Sequence, residues 1–133
     1  MDKNVRWHER FVNLENAFLF LKKGLEKKSP DIYQEAGIIK GFELTFELSW
    51  KTLKDFLEGR GTIAAYPRDV IKEAFAVQLI HDGVLWIEML ETRNHLTHVY
   101  NEAQAQQAIQ LIKTRYLPGL EQVYSELKKL CSD

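Results

Sequence analysis

The stretch WHERFVNLENAFLFLKKGL, residues 7–25, decides the fold class of this 133-residue chain. Its large apolar side chains recur at intervals of four, three, four, three and four residues, which is the period of one helix face. These side chains are Trp7, Phe11, Leu14, Phe18, Leu21 and Leu25. The pattern predicts an amphipathic α-helix that ends at the Lys27-Lys28 pair, because positive charge suits a helix C-terminus.

A second long helix is predicted from Ser29-Pro30 to the turn at Gly59-Arg60-Gly61. Serine is a good N-cap and proline a good first helical residue. The apolar stripe of this segment again has helical spacing. It consists of Ile39, Phe42, Phe46, Trp50, Leu53 and Leu57. Two long antiparallel helices are therefore expected at the start of the chain.

Two glycines, Gly37 and Gly41, lie one turn apart inside the second helix. Each costs about 1 kcal/mol of helix propensity relative to alanine. We interpret them as a notch that lets a neighbouring helix or a second subunit approach the backbone closely. Fraying of the helix is the alternative.

The rest of the chain also reads as helical. A short third helix begins at Pro67 and breaks near His81-Asp82-Gly83, and a fourth begins with Asp82 as its cap. The last stretch has apolar periodicity on both sides of Pro118, where a kink or break is expected. No segment has the alternation of a strand. The prediction is an all-α fold, an antiparallel four-helix bundle of long helices with one additional short helix, forming a single domain over residues 1–133.

Composition excludes several function classes. Lys and Arg total 18 against 19 Asp and Glu, so the chain lacks the overall positive field of a general RNA coat, although one local cleft can still be positive. No apolar run reaches the roughly 20 residues that span a bilayer, and the N-terminus lacks a signal core, so we expect a cytoplasmic chain without membrane contact. The single Cys131 permits no internal disulfide. His95 and His98 lack a third ligand, so neither a metal site nor a cofactor is expected.

The segment ETRNHLTHVY, residues 91–100, gathers a guanidinium, an amide, imidazoles and a phenol at the end of an apolar helix. On a continuous helix Arg93 and His98 would lie about 140° apart, and Tyr100 about 200° from His98. Their convergence requires a bend in the helix or a second copy of the chain. We expect a junction at 99–101, with Asn101 capping the last helix, that leaves Tyr100 accessible.

The pattern Arg-polar-x-x-x-His resembles the signature of the HEPN superfamily, helical bundles that include metal-independent ribonucleases. The longer pattern Arg93-Asn94-x-x-x-His98-x-Tyr100 resembles the subfamily of nucleotidyltransferase substrate-binding type. The run FELTFELSWK, residues 42–51, and Trp86 ahead of the motif are similar to that subfamily as well. The resemblance covers most of the chain.

The resemblance implies a role in a two-gene toxin–antitoxin module. The chain would be a ribonuclease toxin in which Arg93 stabilises charge on the RNA phosphate, His98 transfers a proton and Asn94 orients one of them. A minimal nucleotidyltransferase encoded by a neighbouring gene would neutralise it by attaching adenylate to Tyr100. The chain itself has neither the Gly-Ser turn nor the paired aspartates of such a transferase.

Two other functions stay open. The chain can be a non-catalytic subunit that helps a nucleotidyltransferase to bind its substrate, or a purely structural dimerisation module. We expect a homodimer whose two motifs face a shared groove, because of the glycine notch and the angle between Arg93 and His98. The spacing of Glu43, Glu47 and Lys51 predicts a solvated ion-pair stripe, or else an interface.

Overall fold

The computed structural model describes residues 3–99 and 101–132, and these ranges contain helices but no strand. The order is α1 (Lys3–Leu25), α2 (Ile32–Gly59), α3 (Pro67–Ala76), α4 (Gly83–His95), α5 (Glu102–Leu111) and α6 (Leu117–Ser132). A 3-10 turn, Leu96–His98, follows α4. One π-helical turn, Ile112–Tyr116, joins α5 to α6. The predicted all-α class is confirmed.

The central element is α2, which packs along α1 and also contacts α3, α4, α5 and α6. All six apolar residues of the α1 stripe are at most 5% exposed, as their spacing predicted. The aromatic side chains of α2 carry the packing onward. Phe42 stacks on Tyr116 and Phe46 on Trp86, each with ring centroids 5.6 Å apart. These contacts fix α4 and the last helices against α2.

The start of α2 differs from the prediction. Asp31 is the N-cap, and it forms a capping box with Gln34: the Gln34 N–H donates to Asp31 Oδ1 at 2.8 Å, and the Asp31 N–H donates to Gln34 Oε1 at 2.9 Å. This reciprocal pair satisfies two backbone donors at once. The prediction that Ser29-Pro30 opens the helix was therefore wrong, because both residues lie in the connection.

Three other helix starts were correctly predicted. Pro67 is the first residue of α3, the Asp82 side chain accepts from the Leu85 N–H at 3.0 Å, and the Asn101 side chain accepts from the Gln104 N–H at 2.8 Å. The end of α3 comes earlier than expected, at Ala76. Gln78 soon afterwards adopts a left-handed φ of 68°.

The irregularity expected at Pro118 lies one turn earlier. Helical structure runs on from α5 into α6 through the π-helical turn. Proline has no N–H to donate and its ring crowds the carbonyl four residues back, which here belongs to Thr114. The wide turn absorbs that conflict without breaking the helix. Within the described ranges, none of the helices combines the length and apolarity needed to cross a membrane.

Among the described residues, α1 packs beside Gly41 but nothing packs beside Gly37. A Cβ added at Gly37 would meet no atom within 4 Å. At Gly41 it would meet only Leu21 of α1, at an ordinary 3.6 Å. Fraying does not explain the pair either, because both residues lie inside the continuous α2.

Candidate functional site

The motif occupies the point where α4 ends. Trp86, Met89 and Leu90 bury the apolar face of α4, and Leu96 anchors the following 3-10 turn in the core. His95 Nδ1 lies 2.7 Å from the Glu91 carbonyl oxygen of the last α-helical turn. After His98 the backbone becomes extended at Val99. The α-helix therefore gives way to a 3-10 turn between Arg93 and His98, and the backbone becomes extended only after His98.

Arg93 is held by α2. Its Nη1 lies 3.3 Å from Glu47 Oε2, and its guanidinium carbon lies 5.7 Å from the centroid of the Phe46 ring. The Nε atom is buried and has no hydrogen-bond acceptor. The side chain as a whole is 28% exposed. Arg93 is thus fixed on two sides while part of its donor capacity is unused.

Glu47 is shared between two cations. Its Oε1 lies 3.4 Å from the Lys51 ammonium, so the predicted ion pair on one face of α2 is present. Its other oxygen contacts Arg93. The contact with Arg93 was not predicted, because spacing rules cover only residues of the same helix. It arises from the packing of Phe46 on Trp86, which brings α4 against this face of α2.

The other motif residues lie nearby on the same segment. Asn94 is exposed at the end of α4, and His98 is exposed on the 3-10 turn. Tyr100 lies outside the described residues. The roles expected for these three side chains stay predictions.

A cleft of about 480 Å³ lies beside the motif, between α2 and the segment that leads into α5. Leu96, Val99 and Asn101 line one wall. Glu35 and Glu43 are among the residues of the opposite wall. In the part of the chain that is described, no three His, Cys, Asp or Glu side chains group as metal ligands.

The chemistry that this corner supports is phosphate binding with proton transfer. A guanidinium presents fixed, permanently charged donors that match phosphate oxygens. His98 brings an exposed imidazole, a side chain suited to general acid–base chemistry, to the same short segment. No step of such a reaction requires a redox group.

Comparison with protein families gives one match over most of the chain. Residues 9–129 match the family described as nucleotidyltransferase substrate binding protein like. The matched range contains Glu47, Arg93 and His98, together with the residues that line the cleft.

A curated relative is the probable ribonuclease HepT of Haemophilus influenzae (strain Rd). The two sequences are 34% identical over 84 residues, which make up 57% of this chain and 58% of that protein. The alignment therefore spans less than two thirds of the relative's length.

Two solved structures share the fold. A protein from Thermus thermophilus superposes with a TM-score of 0.73 at 29% identity, over 90% of this chain and 99% of that one. HI0074 from Haemophilus influenzae superposes with a TM-score of 0.66 at 26% identity, over 95% and 98% of the two chains. The HI0074 structure reveals the fold of a substrate binding domain of a nucleotidyltransferase.

Proposed function

Because the chain belongs to the nucleotidyltransferase substrate binding protein-like family, we propose that it is a HEPN-type ribonuclease subunit controlled by a minimal nucleotidyltransferase. The observation that carries the proposal is the state of Arg93, which is oriented by Glu47 and Phe46 but keeps a buried Nε donor without an acceptor. A buried charged donor left unpaired is costly unless an anion satisfies it. The similarity to a probable ribonuclease supports RNA as the source of that anion.

The reaction is a transesterification of RNA. The ribose 2′-hydroxyl attacks the adjacent phosphorus, the bond to the 5′-oxygen breaks, and the products are a 2′,3′-cyclic phosphate and a 5′-hydroxyl. Arg93 donates to the non-bridging oxygens as negative charge builds on them. His98 takes the proton from the attacking 2′-hydroxyl or gives one to the leaving 5′-oxygen. Asn94 orients the phosphate or the imidazole. The reaction uses no metal ion.

Control by the partner acts through Tyr100. Support for this control comes from the sequence neighbours of Tyr100, because Val99 and Asn101 both line the 480 Å³ cleft. Adenylate attached there adds bulk and a negative charge beside Arg93. Like-charge repulsion then disfavours binding of an RNA phosphate. In this arrangement the chain is the toxin and the nucleotidyltransferase is the antitoxin.

The active form is a homodimer that uses the notched face of α2. Phe20 is 72% exposed and Tyr33 86% exposed on the surface that contains Gly37, Gly41 and Leu44. A second copy can approach the backbone closely there, since no described residue fills the space beside Gly37. Leu44 lies only about 60° around the helix from Glu47. A second chain on this face therefore borders Arg93, which gives the two motifs a shared groove.

The dimer is tested by light scattering. We expect the mass of two chains for the unchanged protein and of one chain for Leu44→Lys. The matched control is Ile63→Lys, which adds the same charge at an exposed apolar residue outside this face. A single-chain mass for the unchanged protein at micromolar concentration contradicts the dimer.

The second candidate is a non-catalytic subunit that helps the nucleotidyltransferase to bind its substrate. One contact favours it: Glu47 already neutralises Arg93 in the free chain, which weakens attraction of an RNA phosphate. The similarity to HI0074 points the same way. On this alternative the chain binds the transferase and cleaves nothing.

One experiment separates the two candidates. The purified chain is incubated with RNA in EDTA, alone and after co-expression with the neighbouring transferase, and the intact mass of each preparation is measured. We expect cyclic-phosphate products from the free chain, added adenylate mass after co-expression, and loss of cleavage in the modified protein. Tyr100→Phe should prevent the addition, whereas the control Tyr66→Phe, at the exposed tyrosine that precedes α3, should not. Addition that persists in Tyr100→Phe, or cleavage that needs a metal ion, contradicts the proposal.

A further inference from the structure

A second cleft, of about 360 Å³, lies between the α1–α2 connection and the last helices. Its wall carries three lysines: Lys27 and Lys28 from the connection and Lys113 from the π-helical turn. All three are exposed, and none of them forms an ion pair with a described residue. In a chain with a net charge of −1, this is a local concentration of unpaired positive charge.

The same cleft contains a buried carboxylate. Glu35 is 3% exposed, and its Oε1 is buried without a hydrogen-bond partner. Asp55 is equally buried on the same helix and its Oδ2 likewise forms no hydrogen bond, but a cation compensates its charge, because Arg10 Nε lies 3.0 Å away. An ionised carboxylate can only accept hydrogen bonds, and leaving it unpaired in a buried position is costly. Oε1 of Glu35 therefore has acceptor capacity that no described residue uses.

The three lysines and the buried Glu35 carboxylate define which ligands fit this cleft. A ligand must bring N–H donors to Glu35 and an anionic group to the lysines. Ile38 and Ile109 also line the cleft and offer apolar walls to a flat ring. The volume lies within the range of small-ligand pockets, roughly 300 to 1,000 Å³. Glu35 is among the residues that line the cleft, and the last torsion of a glutamate side chain is soft, so its carboxylate can rotate to meet a donor.

We propose that this cleft binds a guanine nucleotide. Guanine presents two adjacent donors on its Watson–Crick edge, N1–H and the N2 amino group, which match the two oxygens of one carboxylate. Adenine, cytosine and uracil each present a single donor there with an acceptor beside it, and that acceptor faces a carboxylate oxygen unfavourably. The phosphate of the nucleotide lies on Lys27, Lys28 and Lys113.

The proposal goes beyond RNA cleavage and does not depend on it. Glu35 lines both this cleft and the cleft beside the motif. The guanine nucleotide can therefore be a free mononucleotide or one residue of an RNA strand that continues towards Arg93. Both sources share the same contacts with Glu35 and the lysines, so one set of variants tests both.

Binding of free GMP, AMP, CMP, UMP and inorganic phosphate is measured by calorimetry on the full chain. We expect GMP to bind at least about tenfold more tightly than the other nucleotides, as a good bidentate contact discriminates between bases. Glu35→Gln should lose about tenfold in GMP affinity and gain preference for AMP, because an amide offers adenine one donor and one acceptor. Glu58→Gln, on the same helix but lining neither cleft, is the matched control and should leave the preference for GMP intact.

Lysine variants test the phosphate contact. Lys113→Ala should lower the affinity for every nucleotide to a similar extent and reduce the salt dependence of binding. Lys72→Ala, which removes a lysine outside the cleft, should do neither. If Glu35→Gln does not fold, the Lys113→Ala result and the base preference of the unchanged protein carry the test. Three results overturn the proposal. They are equal affinity for all four nucleotides, inorganic phosphate bound as tightly as GMP, or no binding of either free GMP or the guanosine oligomer.

The RNA source is tested in Arg93→Ala protein, so that a failure of the cleavage proposal does not affect the result. The probes are short uridine oligomers that contain one guanosine or one adenosine. Preference for the guanosine oligomer, abolished by Glu35→Gln, supports reading of the base within a strand. Preference for free GMP without such a preference among the oligomers supports a mononucleotide ligand.

Discussion

Two arginine–glutamate pairs connect α4 to the rest of the molecule, and they differ in how completely their hydrogen-bonding groups are used. Arg115 donates from Nε and Nη2 to the two oxygens of Glu88 at 2.7 and 2.8 Å. Glu88 also accepts from the Tyr116 hydroxyl at 2.9 Å. Among the described residues, Arg93 pairs with a single carboxylate oxygen, Glu47 Oε2 at 3.3 Å, and its Nε has no acceptor.

The difference separates a structural pair from a site. A bidentate, charge-assisted contact fixes both side chains and leaves little donor capacity for a ligand. The Arg115–Glu88 pair therefore holds the π-helical turn against α4. A single, longer contact orients Arg93 and leaves donors available for an anion, which is the condition that phosphate recognition requires.

The largest difference between the pairs should appear in RNA cleavage. Arg93→Ala should lower the cleavage rate in EDTA by about 100-fold to 1,000-fold, the usual effect of removing one donor to a developing oxyanion. Arg115→Ala should retain the rate of the unchanged protein. Thermal unfolding of both variants shows whether each remains folded. Equal losses in the two variants mean that the unused donors of Arg93 have no catalytic importance.

The Arg115–Glu88 pair and its neighbours should matter more for folding stability than for RNA cleavage. Tyr116 is fully buried, and its hydroxyl lies 2.6 Å from Thr92 Oγ1 as well as donating to Glu88. Tyr116→Phe leaves both partners without that hydroxyl and should lower the free energy of unfolding by about 1 to 2 kcal/mol. Tyr66→Phe, at a tyrosine 71% exposed, should change it by less than about 0.5 kcal/mol. Urea denaturation measures both. A loss in Tyr66→Phe as large as in Tyr116→Phe contradicts the buried network.

Much of the fold could be predicted because periodicity reports burial directly. The α1 stripe and three helix starts needed only local rules. The start of α2 was missed because two good caps, Ser29 and Asp31, lie close together, and only Gln34 decides between them by completing the capping box. The helix irregularity caused by Pro118 was predicted one turn too late. A sequence does not distinguish a break at Pro118 from a widened turn before it.

The site was predicted only in part, and the reason is again physical. The motif residues Arg93 and His98 stand out by composition, but the partner of Arg93 depends on tertiary packing of α4 against α2. The burial of Glu35 did carry a signal. Extending the α2 stripe back from Phe42 and Ile38 by helical steps reaches Glu35, which lies on the buried face. A charged residue on an apolar face is the anomaly that a sequence can reveal.

Glu47 and Glu88, the glutamates of the two pairs, should affect RNA binding differently. In Glu47→Gln the amide oxygen can still accept from Arg93, so the orientation is kept while the neutralising charge is lost. We expect KM for RNA to fall by up to about fivefold, the range of a partly exposed ion pair. Glu88→Gln makes the same change in charge at the bidentate Arg115–Glu88 pair, called the saturated pair below, and should leave KM unchanged. An increase of KM in Glu47→Gln means that its charge assists RNA binding rather than opposing it.

The smallest expected effect is the pH dependence of stability at the saturated pair. Hydrogen bonds from Arg115 and then from Tyr116 lower the pKa of Glu88 from its ordinary value of 4.5. The unfolded chain therefore takes up a proton at this carboxyl before the folded chain does as the pH falls. The stabilisation is present above pH 4.5 and is lost as the pH falls through the lower folded pKa.

Glu88→Gln has no such carboxyl, so its deficit in unfolding free energy relative to the unchanged protein should shrink as the pH falls below about 4.5. The pair is partly exposed, with 49% of the Arg115 and 37% of the Glu88 side chain accessible, so the change should stay below about 1 kcal/mol. Arg115→Ala removes the larger cause of the pKa shift and should reduce the pH dependence without abolishing it, because Tyr116 still donates. Urea denaturation from about pH 7 to about pH 3 measures all three proteins. A deficit that grows in acid would mean that Glu88 is protonated more readily in the folded chain, which is incompatible with a saturated pair.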